Sequence, residues 1–250
     1  MRIDALQRRV IMDAEMLASA VEDILPIVMP PVYAHHQMYM GSFVKRLRLA
    51  CLDFNVHHTL ALDPEVKTKE IRISGEWYPS QLLPINDTDA DIQITWLVGP
   101  GGRRQAVTPT NWPRIRFAFW SYVMHELVHR AQDTFRGDVS SRVFKPEAAD
   151  PATQTEQRYL GDYDEIEAYA HGTALEMLCW YTNLPFSDAF RLMKLEQQDN
   201  ADATYPIYRK TFAGNLRHPA MKVFNRKVNV WYNSICAHRA FYDQLGLQLL

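Results

Sequence analysis

The run from Trp112 to Arg136 reads as one continuous helix, with Thr110 or Asn111 available as its cap and Pro113 where a first-turn proline is tolerated. Within it, His125 and His129 stand four residues apart. Side chains at that spacing lie one above the other on a single helix face. The two imidazoles can therefore each aim a nitrogen at one point, which is what a tetrahedral zinc ion asks of a rigid element. Glu126 cannot easily share such an ion, but it can reach a water bound to it.

The five residues His125-Glu126-Leu127-Val128-His129 thus form the HExxH arrangement of zinc hydrolases. Two histidines leave the ion short of a third protein ligand. A histidine six residues past His129 would complete one known plan, but position 135 is Phe, and Gln132 stands where that plan has glycine. Asp133 lies further along the same helix and would have to reach along its face. An acidic residue on a following helix is the remaining option, and the segment from Tyr163 to Ala170 offers Glu165 and Glu167. Small residues should flank a ligand on a closely packed helix. Ala168 and Gly172 share the side of Glu165, while Ala170 and Ala174 share that of Glu167. Glu165 is the preferred third ligand, with Glu167 as the alternative.

The rest of the chain supplies a scaffold. Ile3, Leu6, Val10, Leu17, Val21 and Ile24 recur at helical spacing, and Pro26, Pro30 and Pro31 end that helix. A second helix is expected from about Ala34 to Cys51. Glu70 to Ser74 and Asp91 to Val98 alternate polar and apolar residues as strands do. Gly99 to Gly102 is a turn signal, so Arg104 to Thr108 is expected to return as a hairpin partner. The long helix stops at Gly137. Asp138 to Gly161 is polar and reads as a functional or mobile loop. Asp162 caps a helix running to about Asn183, and Ser187 to Leu250 looks helical in pieces broken near Pro206, Gly214 and Pro219. The expected class is α+β: a mainly helical single domain with a small antiparallel sheet before the metal-motif helix. Its parts are N-terminal helices over 1–62, the sheet over 63–110, metal-site helices over 111–184 and C-terminal helices over 185–250.

The zinc motif followed by Glu165 to Ala170 resembles the gluzincin group of zinc metallopeptidases. It is similar in particular to small single-domain metallopeptidase-like proteins encoded in bacteriophage genomes. Those carry a tyrosine-containing turn and then a Glu-x-x-Ala helix, matched here by Tyr159 to Tyr163 and by Glu165 to Ala168. The resemblance spans about Trp112 to Asn183. It implies a zincin-like fold, one zinc ion per chain on His125, His129 and Glu165, and Glu126 as general base. It further implies a protein or peptide substrate, and a cleft lined by a strand for which Asp91 to Val98 is the natural candidate. Arg130 departs from the pattern, since that position is usually uncharged. Tyr159, Tyr163, Tyr169 and His171 are unranked candidates for a second donor to the oxyanion.

Composition narrows the alternatives. Lys and Arg number 27 against 29 Asp and Glu, a formal net charge of −2, which gives no case for a nucleic-acid or membrane-surface binder. Cys51, Cys179 and Cys236 are few and widely spaced, as free thiols in a reducing compartment are. No stretch has the length of a membrane span or the form of a signal peptide. Cytoplasm, or the interior of a particle assembled there with virion proteins as partners, is the expected location. A non-catalytic zinc-containing structural or binding protein is the competing expectation. The adjacent pairs His35-His36 and His57-His58 point apart on any regular element, and read as caps or polar contacts rather than a second metal site.

Overall fold

A computed structural model of the chain describes residues 3–22, 38–67, 70–78, 92–102, 105–136, 141–181, 183–196, 203–213, 215, 217–245 and 247. Pro26, Pro30, Pro31, the His35-His36 pair, Gly137 and Gly214 lie outside them. The described chain is mostly helical with a small sheet, an α+β composition. It forms two compact units, residues 2–131 with 245–247 and residues 132–244. The boundary falls inside an unbroken helix and is not a linker.

In the first unit, α1 (Ile3–Glu22) buries Leu6, Val10, Ala14, Leu17 and Val21 and leaves Met12 and Met16 in solvent. That is the stripe expected of a helix packed on one face. A two-residue strand β1 (Met38–Tyr39) leads into α2 (Met40–Ala50), which buries Met40, Phe43, Val44 and Leu47. The strands β2 (Val56–Leu62), β3 (Ile71–Trp77) and β4 (Ile92–Val98) form one sheet in the order β2-β4-β3. The alternation in β4 is complete: Ile92, Ile94, Trp96 and Val98 are buried, and Gln93, Thr95 and Leu97 take the other face.

The sheet is mixed, not purely antiparallel as expected. β4 runs antiparallel to β3 and parallel to β2. Parallel neighbours require a long connection, and β3 with its flanking chain supplies it. β2 escaped the sequence reading because Val-His-His-Thr-Leu-Ala-Leu has no clean alternation. The expected hairpin after Gly99 does not form either. Both edges of β4 are taken, so the chain closes a turn through Gly102 N to Gly99 O (2.8 Å) and continues. Its short strand β5 (Ala106–Val107) then pairs antiparallel with β1.

The long helix is α3 (Trp112–Arg136). Within the first unit it is held by an aromatic cluster. Phe119 stacks on Trp96 at 5.9 Å, and Phe43 meets Trp96 and Trp112 edge-on at 5.3 and 5.7 Å. Each such pair adds about 0.5–1.5 kcal/mol beyond the area it buries. His58 belongs to this core. Its Nδ1 accepts from Trp96 Nε1 (3.3 Å), and burial lowers its pKa to about 3, so it is neutral.

The second unit begins with the end of α3. The segment read as a polar loop contains a helix, α4 (Pro151–Leu160), whose cap Asp150 accepts from Thr153 N (2.8 Å) ahead of Pro151 at the first helical position. This Asp-Pro start was legible but masked by the Thr and Gln content around it. Buried Gln157 fastens the segment: its Oε1 accepts from Glu147 N and Ala148 N, and its Nε2 donates to Thr211 O.

Next come α5 (Tyr163–Trp180), capped by Asp162 as expected, then α6 (Phe186–Glu196) and α7 (Thr204–Thr211). They are followed by α8 (Pro219–Ala237) and α9 (Arg239–Gln244). Pro206 sits in the first turn of α7 and does not break it. α8 presents Ala220, Met221, Phe224, Val228, Trp231 and Ile235 as a buried stripe. α5 answers with Ala168, Ala170 and Ala174, small residues that allow close packing. None of the described helices is long and apolar enough to cross a membrane.

α7 lacks a cap of its own, and Glu176 of α5 provides one by accepting from Thr204 N (3.4 Å) and Thr204 Oγ1 (3.0 Å). Burial raises this carboxyl from 4.5 to about 7 despite those bonds. The folded chain then binds the proton more tightly than the unfolded one, so this group's contribution to stability falls as pH rises from 4.5 to 7. Glu176→Gln, neutral throughout, should melt close to wild type at pH 5 and above it at pH 8. Parallel thermal melts at the two pH values check this, and an equal difference at both would refute it.

Candidate metal centre

α3 sets the geometry. His125 and His129 are half-buried on one face, with their rings 4.8 Å apart and their Nε2 atoms 3.1 Å apart. Two ligands at about 2.05 Å from a tetrahedral ion stand about 3.4 Å from each other, so the imidazoles are set for a shared cation with almost no adjustment. Among the described residues, His125, His129 and Glu165 form the group that could hold a metal ion, with one ligand atom of each within 4.8 Å of the others. Two imidazoles and a carboxylate are donors that zinc and other divalent transition metals take.

Glu165 lies in the first turn of α5, and that turn is fastened to the last turns of α3. Gln132 Nε2 donates to Asp164 O (3.2 Å), and Arg136 pairs with the Asp164 carboxylate. The glutamine that departs from the six-residue histidine plan is thus buried and holds the start of the next helix. Glu167 is engaged elsewhere. Residues two apart on a helix point about 200° apart, and Glu167 accepts from Trp231 Nε1 (2.8 Å) and pairs with Lys227, both on α8. The flanking-residue argument for Glu165 finds no support at Gly172, where an added Cβ would meet nothing within 4 Å.

Glu126 points to the sheet. It is buried, and its carboxylate lies over Gly75 of β3, where a Cβ would come within 2.9 Å of Oε1 and 3.1 Å of Cγ. Two residues on, Trp77 stacks on His129 at 6.4 Å and 24°. The strand at Glu126 and His129 is therefore β3, while β4 meets the same helix further toward its start, where Trp96 stacks on Phe119. β4 is the central strand with both edges bonded, whereas β3 carries no partner on its outer edge among the described residues.

Arg130 turns away from the histidine face. It pairs with Asp13 of α1 (3.1 Å) and donates to Phe54 O (3.1 Å). Its unusual charge is spent on the scaffold, in an ion pair with the buried carboxylate of Asp13.

The four oxyanion candidates also separate. Tyr163 stacks on Phe144 at 5.0 Å. His171 is fully buried, edge-on to Trp231 (4.8 Å) and 3.3 Å from Tyr242 OH. Tyr159 OH lies 3.3 Å from Tyr169 OH, and the two rings meet edge-on at 6.2 Å. Burial, then the Glu165 charge, pushes the Tyr159 phenol well above its ordinary value. Two further histidines serve as polar contacts: His218 Nδ1 caps α8 at Ala220 N (3.1 Å), and His238 Nδ1 meets Ser234 O (2.9 Å).

Exchanging each glutamate in turn separates their roles. Glu165→Ala should weaken zinc binding sharply and leave the melting temperature of the metal-free protein nearly unchanged. Glu167→Ala strands Lys227 and should lower stability by about 3–5 kcal/mol. Zinc titration and thermal melts of both variants check this, and loss of metal in Glu167→Ala alone would reverse the assignment.

Comparison with known proteins finds no family model, no curated protein and no solved structure that matches this chain.

Proposed function

We propose that the chain is a zinc-dependent peptidase, with His125, His129 and Glu165 as the residues that would hold the ion and Glu126 as general base. When bound, zinc supplies a Lewis acid for the scissile carbonyl and brings the pKa of a coordinated water near 7. Glu126 takes the proton of the attacking water and returns it to the leaving amine, base first and then acid. The carboxylate suits that task because it is buried against Gly75, on the residue next to His125, and cannot swing freely into solvent.

The placement of Glu126 is the observation that carries this reading. A zinc site that only braces a fold is closed by four protein ligands and has no use for a base beside it. A peptide substrate is favoured by β3. Its free edge among the described residues can take an extended chain through main-chain hydrogen bonds, and Gly75 and Trp77 on that strand abut Glu126 and His129. The free thiols Cys51, Cys179 and Cys236 favour a reducing compartment such as cytoplasm.

Purified protein should carry one zinc per chain and cleave members of a random peptide library, read by mass spectrometry, until a chelator removes the metal. Glu126→Gln should keep the metal and lose about 10²–10⁴-fold in turnover. Undiminished cleavage by that variant would dispose of the general-base assignment. Gly75→Ala should also keep the metal and melt near wild type, because the displaced atoms are the flexible end of Glu126. Its turnover should nonetheless fall at least tenfold, and a fully active variant would show that the close approach is not needed.

A further inference from the structure

The helix that carries His129 fixes where its Cβ stands, but not the plane of its ring. The last torsion of a histidine side chain is broad and has no sharp staggered wells. A cation is bound along the lone pair of a ring nitrogen, which lies in that plane, so the plane decides whether the ligand is aimed. Two neighbours define it here. His125 meets His129 edge-on, with ring centroids 4.8 Å apart and planes at 72°. Trp77 stacks on His129 at 6.4 Å and 24°.

Trp77 is held by the sheet. It is the last residue of β3 and lies opposite Ile92 of β4, which is fully buried and lies in turn opposite Val56 of β2. Side chains alternate along a strand, so Trp77 shares with Gly75 the side of β3 that meets the histidine helix. All of these residues belong to the first unit. We propose that Trp77 is a positioning residue for His129: its indole holds the imidazole in the plane in which Nε2 faces the ion. The proposal rests on the metal-site reading above. Stacking acts on the face of the ring and uses neither nitrogen, so it adds to whatever hydrogen bonds the imidazole makes. One strand then sets base and ligand together, with Gly75 receiving Glu126 and Trp77 receiving His129. Affinity falls with the fraction of time a ligand spends outside its competent orientation. Loss of the preference that one ring pair supplies corresponds to about 2–10-fold weaker binding.

Competition titration of the full chain with zinc alone tests this, together with the visible absorption of the cobalt-substituted protein, which reports how the ligands are arranged. Trp77→Leu keeps an apolar side chain without a flat face, and Trp77→Phe restores a ring. Trp77→Leu should bind zinc about 2–10-fold more weakly and shift the cobalt bands, and Trp77→Phe should recover most of both. Melting temperatures of the metal-free variants are read alongside, because a tryptophan that only packs the end of β3 would lower them without moving the bands. Either wild-type zinc affinity or unshifted cobalt bands in Trp77→Leu overturns the proposal at any melting temperature. A Trp77→Phe variant no better than Trp77→Leu overturns it as well. A wild-type protein that takes up neither zinc nor cobalt overturns the metal-site reading, and the proposal with it. Uptake by the wild type thus tells the two failures apart.

Discussion

Everything at the candidate centre depends on one helix lying in two environments at once. On one side of α3, Phe119, Trp120, Val123, Leu127, Val128 and Ala131 are buried, most of them completely. On the other, two imidazoles stay half-open at a separation a cation can bridge. The two ring nitrogens, 3.1 Å apart, are within hydrogen-bond distance of each other, and the helix that carries them is clamped by stacked aromatics and by the Arg130–Asp13 pair. The stiffness of the site is thus inherited in large part from the core.

That dependence explains what could be read from the chain and what could not. The histidine pair and Glu126 were legible because their spacing lies within one helix, whose period is fixed by the backbone. The Asp162 cap and the α8 start at Pro219 were legible for the same local reason. The strand beside the site was not. Both alternating segments looked alike as sequence, and only pairing shows that β4 is enclosed while β3 is the edge. β2 stayed hidden because His57 and His58 interrupt its apolar pattern, and His58 turns out to be a core residue held by Trp96.

Glu165 and Glu167 mark the limit of composition most sharply. Each has small residues at the same spacings, so their flanks could not separate them. They differ in what surrounds them: Trp231 and Lys227 take Glu167, while a ligand atom of Glu165 lies within 4.8 Å of those of the two histidines. Tyr159 stands out in the sequence, but the helix that carries it does not, because its Thr and Gln content resembles a loop.

The space above Gly75 has a consequence of its own. What lets Glu126 lie flat against β3 is an atom that is not there, and the next residue on the same side of that strand is the tryptophan that covers His129. Kinship among chains of this kind should therefore be sought in two linked signatures. One is the familiar run of histidines and glutamate; the other is a glycine-any-tryptophan triplet in an upstream strand. A distant relative that has drifted everywhere else would still be recognisable from that pair.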